Sequence, residues 1–195
     1  MGFLTDLIIL VVAINPFSKA LLSSQLSRKL KDKKEIKDII TYSNTLGLVL
    51  IVLFALMGPF VFKSVLGVSD SALIMACGLS LSIFGINYLF KEELFDFSNK
   101  SKSAIYLSIG MPMIVGPASI SIITLISSYS SFIYSFILCI IAILINYLFM
   151  IFSYRFLSSN PKNEGLHYLN VKLTGLLMLA VGIQFLLNAI QGIFQ

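Results

Sequence analysis

The sequence predicts an all-α integral membrane protein with six transmembrane helices, arranged as two inverted three-helix repeats. Three observations predict this fold class: an apolar content of 57% over 195 residues, six long apolar runs, and a proline break in the first and fourth runs. A soluble domain of this size could not bury so much apolar surface, so lipid must solvate most of it. The lipid bilayer is therefore the first partner that the sequence predicts.

Each apolar run is long enough to cross a hydrocarbon core of about 30 Å as an α-helix, which needs about 20 residues. Strands of a membrane β-barrel would be about ten residues long and would alternate strictly between apolar and polar residues. These runs are continuous instead, and six crossings leave little room for a soluble domain. The six runs are Leu4–Ser24, Ile39–Phe62, Ser71–Phe90, Ala104–Ile126, Phe132–Tyr154 and Val171–Phe194.

The basic residues predict the orientation, because cytoplasmic loops of membrane proteins carry an excess of Lys and Arg. Twelve of the 14 basic residues lie in or beside the first, third and fifth loops, and Lys63 alone lies on the other side. We expect loops one, three and five in the cytoplasm and both termini outside the cell membrane. The N-terminal run has no basic segment before it and carries Asp6, which favours a retained first helix over a signal peptide. The net charge of +5 thus reflects topology and predicts no nucleic acid partner.

The chain divides into two halves of similar plan. Residues 1–92 form the first predicted repeat, residues 93–101 a cytoplasmic linker, and residues 102–195 the second repeat. Each half has three helices, and this odd number forces the second half to insert upside-down relative to the first. The last helix of each half carries two glycines at one spacing, followed by a carboxamide: Gly78, Gly85 and Asn87, then Gly175, Gly182 and Gln184. These glycines are predicted to pack helices closely.

Asn15-Pro16 and Gly116-Pro117 occupy corresponding places in the two halves and interrupt their runs after about half a bilayer. Asn is a favoured N-cap and Pro a favoured first helical residue, so each break predicts the start of a half-helix near the midplane. The N-terminus of a helix attracts anions through its unpaired N–H groups and its dipole. Paired breaks of this kind point to the binding site of a transporter. The alternative is two simple kinks, healed by neighbouring helices and water.

The predicted binding residues surround these breaks, where a ligand carboxylate would accept hydrogen bonds from the backbone. Asn87 and Gln184 either face the same cavity or form hydrogen bonds across helices. The predicted substrate-binding residues are Asn15, Pro16, Phe17, Ser18, Gly116, Pro117, Ala118, Ser119, Asn87 and Gln184.

Lys19 lies three residues after Pro16, inside the first apolar run. It either snorkels to the cytoplasmic surface or faces the cavity as a site cation. No Asp or Glu lies near the middle of any run. A coupling ion, Na⁺ or H⁺, would therefore depend on Lys19 or on backbone carbonyl groups.

The sequence predicts no enzyme and no cofactor, because it has neither a nucleotide-binding glycine-rich loop nor a Ser/His/Asp arrangement. The single histidine, His167, has no second His or Cys nearby, so no metal site is expected. Cys77 and Cys139 both fall inside apolar runs and are expected to be small buried hydrophobes.

Four short motifs, in order and with suitable spacing, resemble the MarC family, which includes the SnatA small neutral amino acid transporters and belongs with the LysE-type exporters. The motifs are Asn15-Pro16-Phe17-Ser18, Cys77-Gly78-Leu79, Pro112-Met113-Ile114-Val115-Gly116-Pro117-Ala118 and Lys172-Leu173-Thr174-Gly175. The resemblance implies transport of small neutral amino acids. Ser18, Ala118 and Cys77 stand where the family prefers Gly, and Lys19 adds a cation near a position that is usually neutral. These departures would narrow the cavity and change its charge.

The leading hypothesis is a secondary transporter of small neutral amino acids, such as glycine or alanine, that works by alternating access. A zwitterionic substrate would place its carboxylate at the half-helix N-termini. The alternatives are a small-solute or ion channel, with the breaks lining a continuous pore, and a structural membrane protein with kinked helices and a dry, packed interior. The sequence leaves the exact substrate, the direction of transport, the coupling ion and the oligomeric state open.

Overall fold

The computed structural model describes residues 2–30, 32–90, 115–156 and 164–193, and within these ranges it contains helices and short connections but no strand. The predicted all-α fold class is therefore confirmed. A π-helical segment, Pro59–Val65, directly continues the third helix. The α-helices are α1 (Phe3–Ile14), α2 (Pro16–Lys29), α3 (Lys33–Gly58), α4 (Asp70–Phe90), α5 (Pro117–Tyr129), α6 (Phe132–Phe156) and α7 (Glu164–Ile193).

Five helical stretches are long and apolar enough to cross a membrane, and they correspond to the first, second, third, fifth and sixth predicted runs. The fourth run is represented by the shorter apolar helix α5. The earlier part of that run, residues 104–114, lies outside the described residues, as does the predicted linker 93–101. The five long stretches are Phe3–Ser23, Lys33–Val65, Asp70–Phe90, Phe132–Arg155 and Tyr168–Ile193.

Helices α4 and α7 pack together through four glycines, and the contacts are reciprocal. A Cβ atom added to Gly78 would lie 2.7 Å from the carbonyl oxygen of Gly182, and one on Gly182 would lie 2.8 Å from that of Gly78. The pair Gly85 and Gly175 repeats this pattern, with distances of 2.8 and 2.9 Å. Such distances leave no space for a side chain, so the two backbones can approach only because these residues are glycines. The predicted packing role of the glycines is confirmed.

Helices α3 and α6 meet at a buried pair of carboxamides. Asn146 Nδ2 donates to Asn44 Oδ1 at 2.8 Å, and Asn44 Nδ2 donates to the carbonyl oxygen of Ile40 at 2.8 Å. Both Asn side chains are buried. Because an unpaired amide group is costly in an apolar environment, the hydrogen bond between Asn44 and Asn146 stabilises the contact between the two halves of the chain.

Helix α2 lies along α6, and serines on both helices connect them. Ser23 Oγ donates to the carbonyl oxygen of Met150 at 2.9 Å, and Ser153 Oγ donates to that of Ala20 at 2.6 Å. The half-helix after the first break is therefore anchored to the fifth spanning run.

Polar groups gather at the end of the bundle where α1 begins and α5 ends. The buried carboxylate of Asp6 accepts hydrogen bonds from the hydroxyl groups of Tyr129, at 3.1 Å, and Tyr134, at 2.7 Å. Lys63, in the π-helical segment, forms an ion pair with Asp70. By the charge distribution this end is predicted to face outward.

Candidate functional site

The first helix break is centred on Asn15. Its backbone is left-handed, with φ 55° and ψ 74°, a conformation that Asn adopts more readily than most residues. Its N–H closes α1 on the carbonyl oxygen of Val11 at 2.9 Å, and its Oδ1 accepts from the N–H of Ser18 at 3.2 Å. Asn15 thus ends α1 and caps α2, as the Asn-Pro pair predicts, and Pro16 is the first residue of α2.

The second break begins α5 at Pro117 and has a different cap. Gly116 is extended, with φ −86° and ψ 175°, and no side chain caps the helix. The N–H of Ile120 donates to the carbonyl oxygen of Gly116 at 3.1 Å, which closes the first turn. Because Pro117 has no N–H, the uncapped donors at this terminus are the N–H groups of Ala118 and Ser119, for which the described part of the chain provides no acceptor.

The first-turn serines turn back onto their own helices. Ser18 Oγ donates to the carbonyl oxygen of Asn15 at 2.9 Å, and Ser119 Oγ donates to that of Gly116 at 3.0 Å. The same bond therefore occurs at both breaks. Each hydroxyl hydrogen is already used, so these side chains offer a ligand acceptor oxygens and no free donor.

Residues from both breaks line one cavity of about 30 Å³. A water needs about 10–15 Å³ by this kind of measure, so the cavity holds about two waters. Two cap residues and the cation Lys19 meet there, although they come from opposite halves of the chain. Among the described residues the lining consists of Ala13, Asn15, Ser18, Lys19, Ser80, Leu81, Phe84, Tyr88, Gly116, Ala118 and Met178.

Lys19 faces this cavity instead of the surface. Its side chain is only 8% exposed, although it belongs to a helix of an apolar span. A snorkelling lysine would keep its ammonium group in the aqueous interface, so the structure favours the alternative that places Lys19 at the site. No described residue forms an ion pair with it.

Other predicted site residues lie outside the cavity. Gln184 is exposed on α7 and donates to Asn188 Oδ1 at 2.9 Å, one turn along the same helix. Asn87 is half-buried on α4 and is absent from the cavity lining. Pro117 is exposed, and Ser119 turns no side chain into the cavity, because its buried hydroxyl group is bonded to Gly116. The glycines explain the position of Gln184, because Gly175 and Gly182 face α4 and leave this neighbour pointing outward.

Pro16 and Phe17 lie beside a second, larger pocket. This groove has a volume of about 220 Å³ and is almost entirely apolar. Phe17 is 55% exposed, and its ring makes an edge contact with that of Phe149, with centroids 5.3 Å apart. Phe17 therefore belongs to the apolar side of the break and not to the polar cavity. Asn15 contacts both spaces.

Helix α4 contributes residues that the sequence analysis did not identify. Ser80, Phe84 and Tyr88 recur every four residues and so share one helix face, which lines the cavity. Tyr88 is buried, and it lines the cavity together with Ser18. The sequence signal for this helix face was the helical spacing of the polar residues Ser80 and Tyr88. Asn87 lies about 100° around the helix from Tyr88 and therefore points in another direction.

Metal binding has no obvious basis in the described residues, which contain no group of three or more His, Cys, Asp or Glu side chains. Cys77 and Cys139 are both free and buried, which confirms the prediction that they are small buried hydrophobes. The polar groups at the cavity are helix N-termini, the amine of Lys19 and hydroxyl groups.

Comparisons with known proteins identify the relationship. The sequence matches the MarC family of integral membrane proteins over residues 2–194. It is 25% identical over 193 residues to a UPF0056 membrane protein from Pyrococcus horikoshii, covering 97% of this chain and 94% of that protein. No solved structure matches. The match across nearly the whole chain, together with its apolar helices, establishes that this multi-pass membrane protein belongs to the MarC family.

Proposed function

We propose that the protein is a secondary transporter that moves a small carboxylate-bearing solute by alternating access. Small neutral amino acids, such as glycine and alanine, are the first substrates to test. One observation carries the proposal: Asn15 and Gly116, the cap residues of two half-helices from opposite halves of the chain, line one cavity with Lys19. A kinked structural helix has no need for two such termini to meet.

The substrate carboxylate fits best at the N-terminus of α5. The N–H groups of Ala118 and Ser119 are free there among the described contacts, whereas Asn15 already occupies the N–H of Ser18 at the first break. The dipole of α5 adds positive potential at the same place. The acceptor oxygens of Ser18 and Tyr88 are available to the other end of a polar solute.

The packing supports the inverted-repeat arrangement. In the predicted repeat, residues 78 and 85 of the first half correspond to residues 175 and 182 of the second half. Replacing each residue by its counterpart turns the contact between Gly78 and Gly182 into the contact between Gly175 and Gly85. The bond between Asn44 and Asn146 likewise joins corresponding helices of the two halves. Both relations are expected of a two-fold axis between the halves, and the odd number of helices predicted for each half would place that axis in the membrane plane.

The cavity is too small to hold a solute in this conformation. About 30 Å³ holds only about two waters, so a solute requires the cavity to widen toward one side of the membrane at a time. The reciprocal α4–α7 contact and the Asn44–Asn146 pair are the surfaces about which the halves would rock.

A channel and a structural role are the competing functions. A channel would give single-channel currents, whereas a carrier shows saturation and counterflow. A structural protein would show neither and would keep the cavity dry.

The proposal is tested by uptake into proteoliposomes that contain the purified protein. We expect saturable uptake of at least one small carboxylate-bearing solute, with accelerated exchange when unlabelled solute is loaded inside. Parallel measurements with and without Na⁺ and proton gradients identify the coupling ion. Currents without counterflow would replace the carrier with a channel, and absence of both would leave the structural role.

A further inference from the structure

The charge of the cavity has a consequence for the substrate. The side chain of Lys19 is only 8% exposed, and it lines the cavity together with the uncapped N-terminus of α5. The α5 terminus adds positive potential there, and Lys19 adds a positive charge in its protonated form. No described acidic residue lines the cavity, and the stretch 104–114 that leads toward Gly116 contains no Asp or Glu. An ammonium group in such surroundings is costly unless an anion accompanies it.

We propose that Lys19 makes the cavity selective for a small monocarboxylate anion over a zwitterion with the same carbon skeleton. This inference rests on the proposed function and names the substrate class of the same site. The carboxylate accepts from the N–H groups of Ala118 and Ser119, and the Lys19 ammonium group balances its charge. The ammonium group of an amino acid would enter beside Lys19, where like charges repel and no described carboxylate offers compensation.

The remaining contacts agree with a neutral second group on the solute. Ser18, Ser80 and Tyr88 each bring a hydroxyl group to the cavity wall. Ser80 and Tyr88 can donate and accept, and Ser18 Oγ can accept, so they can pair with a hydroxyl or carbonyl group on the solute. Three neutral groups of this kind do not replace the counter-charge that an ammonium group requires.

Lactate and alanine are the probes, because they differ only in a hydroxyl group against an ammonium group. Equilibrium binding of each to the purified protein is measured at pH 7.5 for the wild type, Lys19→Met and Lys19→Arg. We expect the wild type to bind lactate at least tenfold more tightly than alanine. Lys19→Met should weaken lactate binding at least tenfold and remove the preference, whereas Lys19→Arg should retain it.

Two controls keep the result interpretable. Monodisperse elution and unchanged helicity of Lys19→Met show that the variant folds, and Lys19→Gln provides a second neutral variant. The combined Glu92→Gln, Glu93→Gln and Asp96→Asn variant, in and beside the predicted linker outside the described residues, should leave the preference unchanged. Loss of the preference in that loop variant would contradict the role given to Lys19.

The outcomes separate the two proposals. If alanine binds as tightly as lactate and Lys19→Met changes neither affinity, the proposed anion selectivity is overturned and the proposed carrier function remains. A lack of binding and counterflow for either solute in the wild type would overturn this inference and the proposed function together.

Discussion

Ala118→Leu is expected to abolish substrate binding while the protein remains folded. Ala118 is 4% exposed and lines the cavity beside the free N–H groups of α5. Leucine adds three carbon atoms beside a cavity of about 30 Å³, and these atoms would cover the N–H donors. Losing a single hydrogen bond to a charged group costs about 1.5–3 kcal/mol. That range corresponds to roughly ten- to a hundred-fold in affinity, and loss of two donors should exceed it.

Ala180→Leu is the matched control, because Ala180 is exposed on α7 and the same atoms would be added toward lipid. Binding by that variant should equal that of the wild type. Ala118→Gly removes bulk from the cavity wall and should bind at least as well as the wild type. Unchanged binding in Ala118→Leu would show that the α5 N-terminus does not contact the substrate.

Gly182→Ala is expected to destabilise the protein strongly. Its Cβ atom would lie 2.7 Å from the Ser82 nitrogen and 2.8 Å from the Gly78 oxygen, and both are backbone atoms. Overpacking costs about 1–3 kcal/mol and occasionally more, and backbone atoms cannot rotate away as a flexible side chain can. We expect a cost at the upper end of this range, measured as a lower temperature of aggregation in detergent.

Gly192→Ala is the control for this substitution, because it lies on the same helix and would meet only Ser71 Oγ, at 3.2 Å. Its thermal stability should stay close to that of the wild type. Equal stability of the two variants would mean that α4 and α7 are not held together at the glycine crossing.

The sequence predicted the features that depend on local backbone chemistry. Asn15 caps α2 and Pro16 begins it, as the preference of Asn for caps and left-handed backbone indicates. Pro117 likewise begins α5, although Gly116 supplies no side-chain cap. The glycines of α4 and α7 pack closely because lipid-embedded helices associate through small residues.

Side-chain direction around a helix was harder to predict, because runs that are apolar on all sides hide which face is buried. Gln184 was expected near the cavity from its spacing to Gly182, but it points outward and bonds to Asn188. Tyr88 lines the cavity one residue beyond Asn87. A period of 3.6 residues separates such neighbours by about 100°, and only the packing of α4 against α7 fixes which of them turns inward.

Lys19 shows the same limit in a charged residue. Its position in the first run was compatible with snorkelling and with facing the cavity, since both depend on the helix's neighbours. Its burial at the cavity wall depends on the contact between α2 and the other helices that line the cavity, which bring Tyr88, Ala118 and Met178 there. The sequence alone contained no information on that contact.

Cysteine accessibility tests the claim that the two helix breaks form one aqueous cavity that receives the substrate. Ala118→Cys is introduced after Cys77 and Cys139, both buried, are replaced by Ala. We expect a water-soluble, negatively charged thiol reagent to modify the new cysteine and bound substrate to slow this reaction at least tenfold. Leu187→Cys, which is half-exposed toward lipid, should stay unmodified. A cysteine at position 118 that resists the reagent from both sides of the membrane, with or without substrate, would contradict the claim and leave two kinked helices around a dry interior.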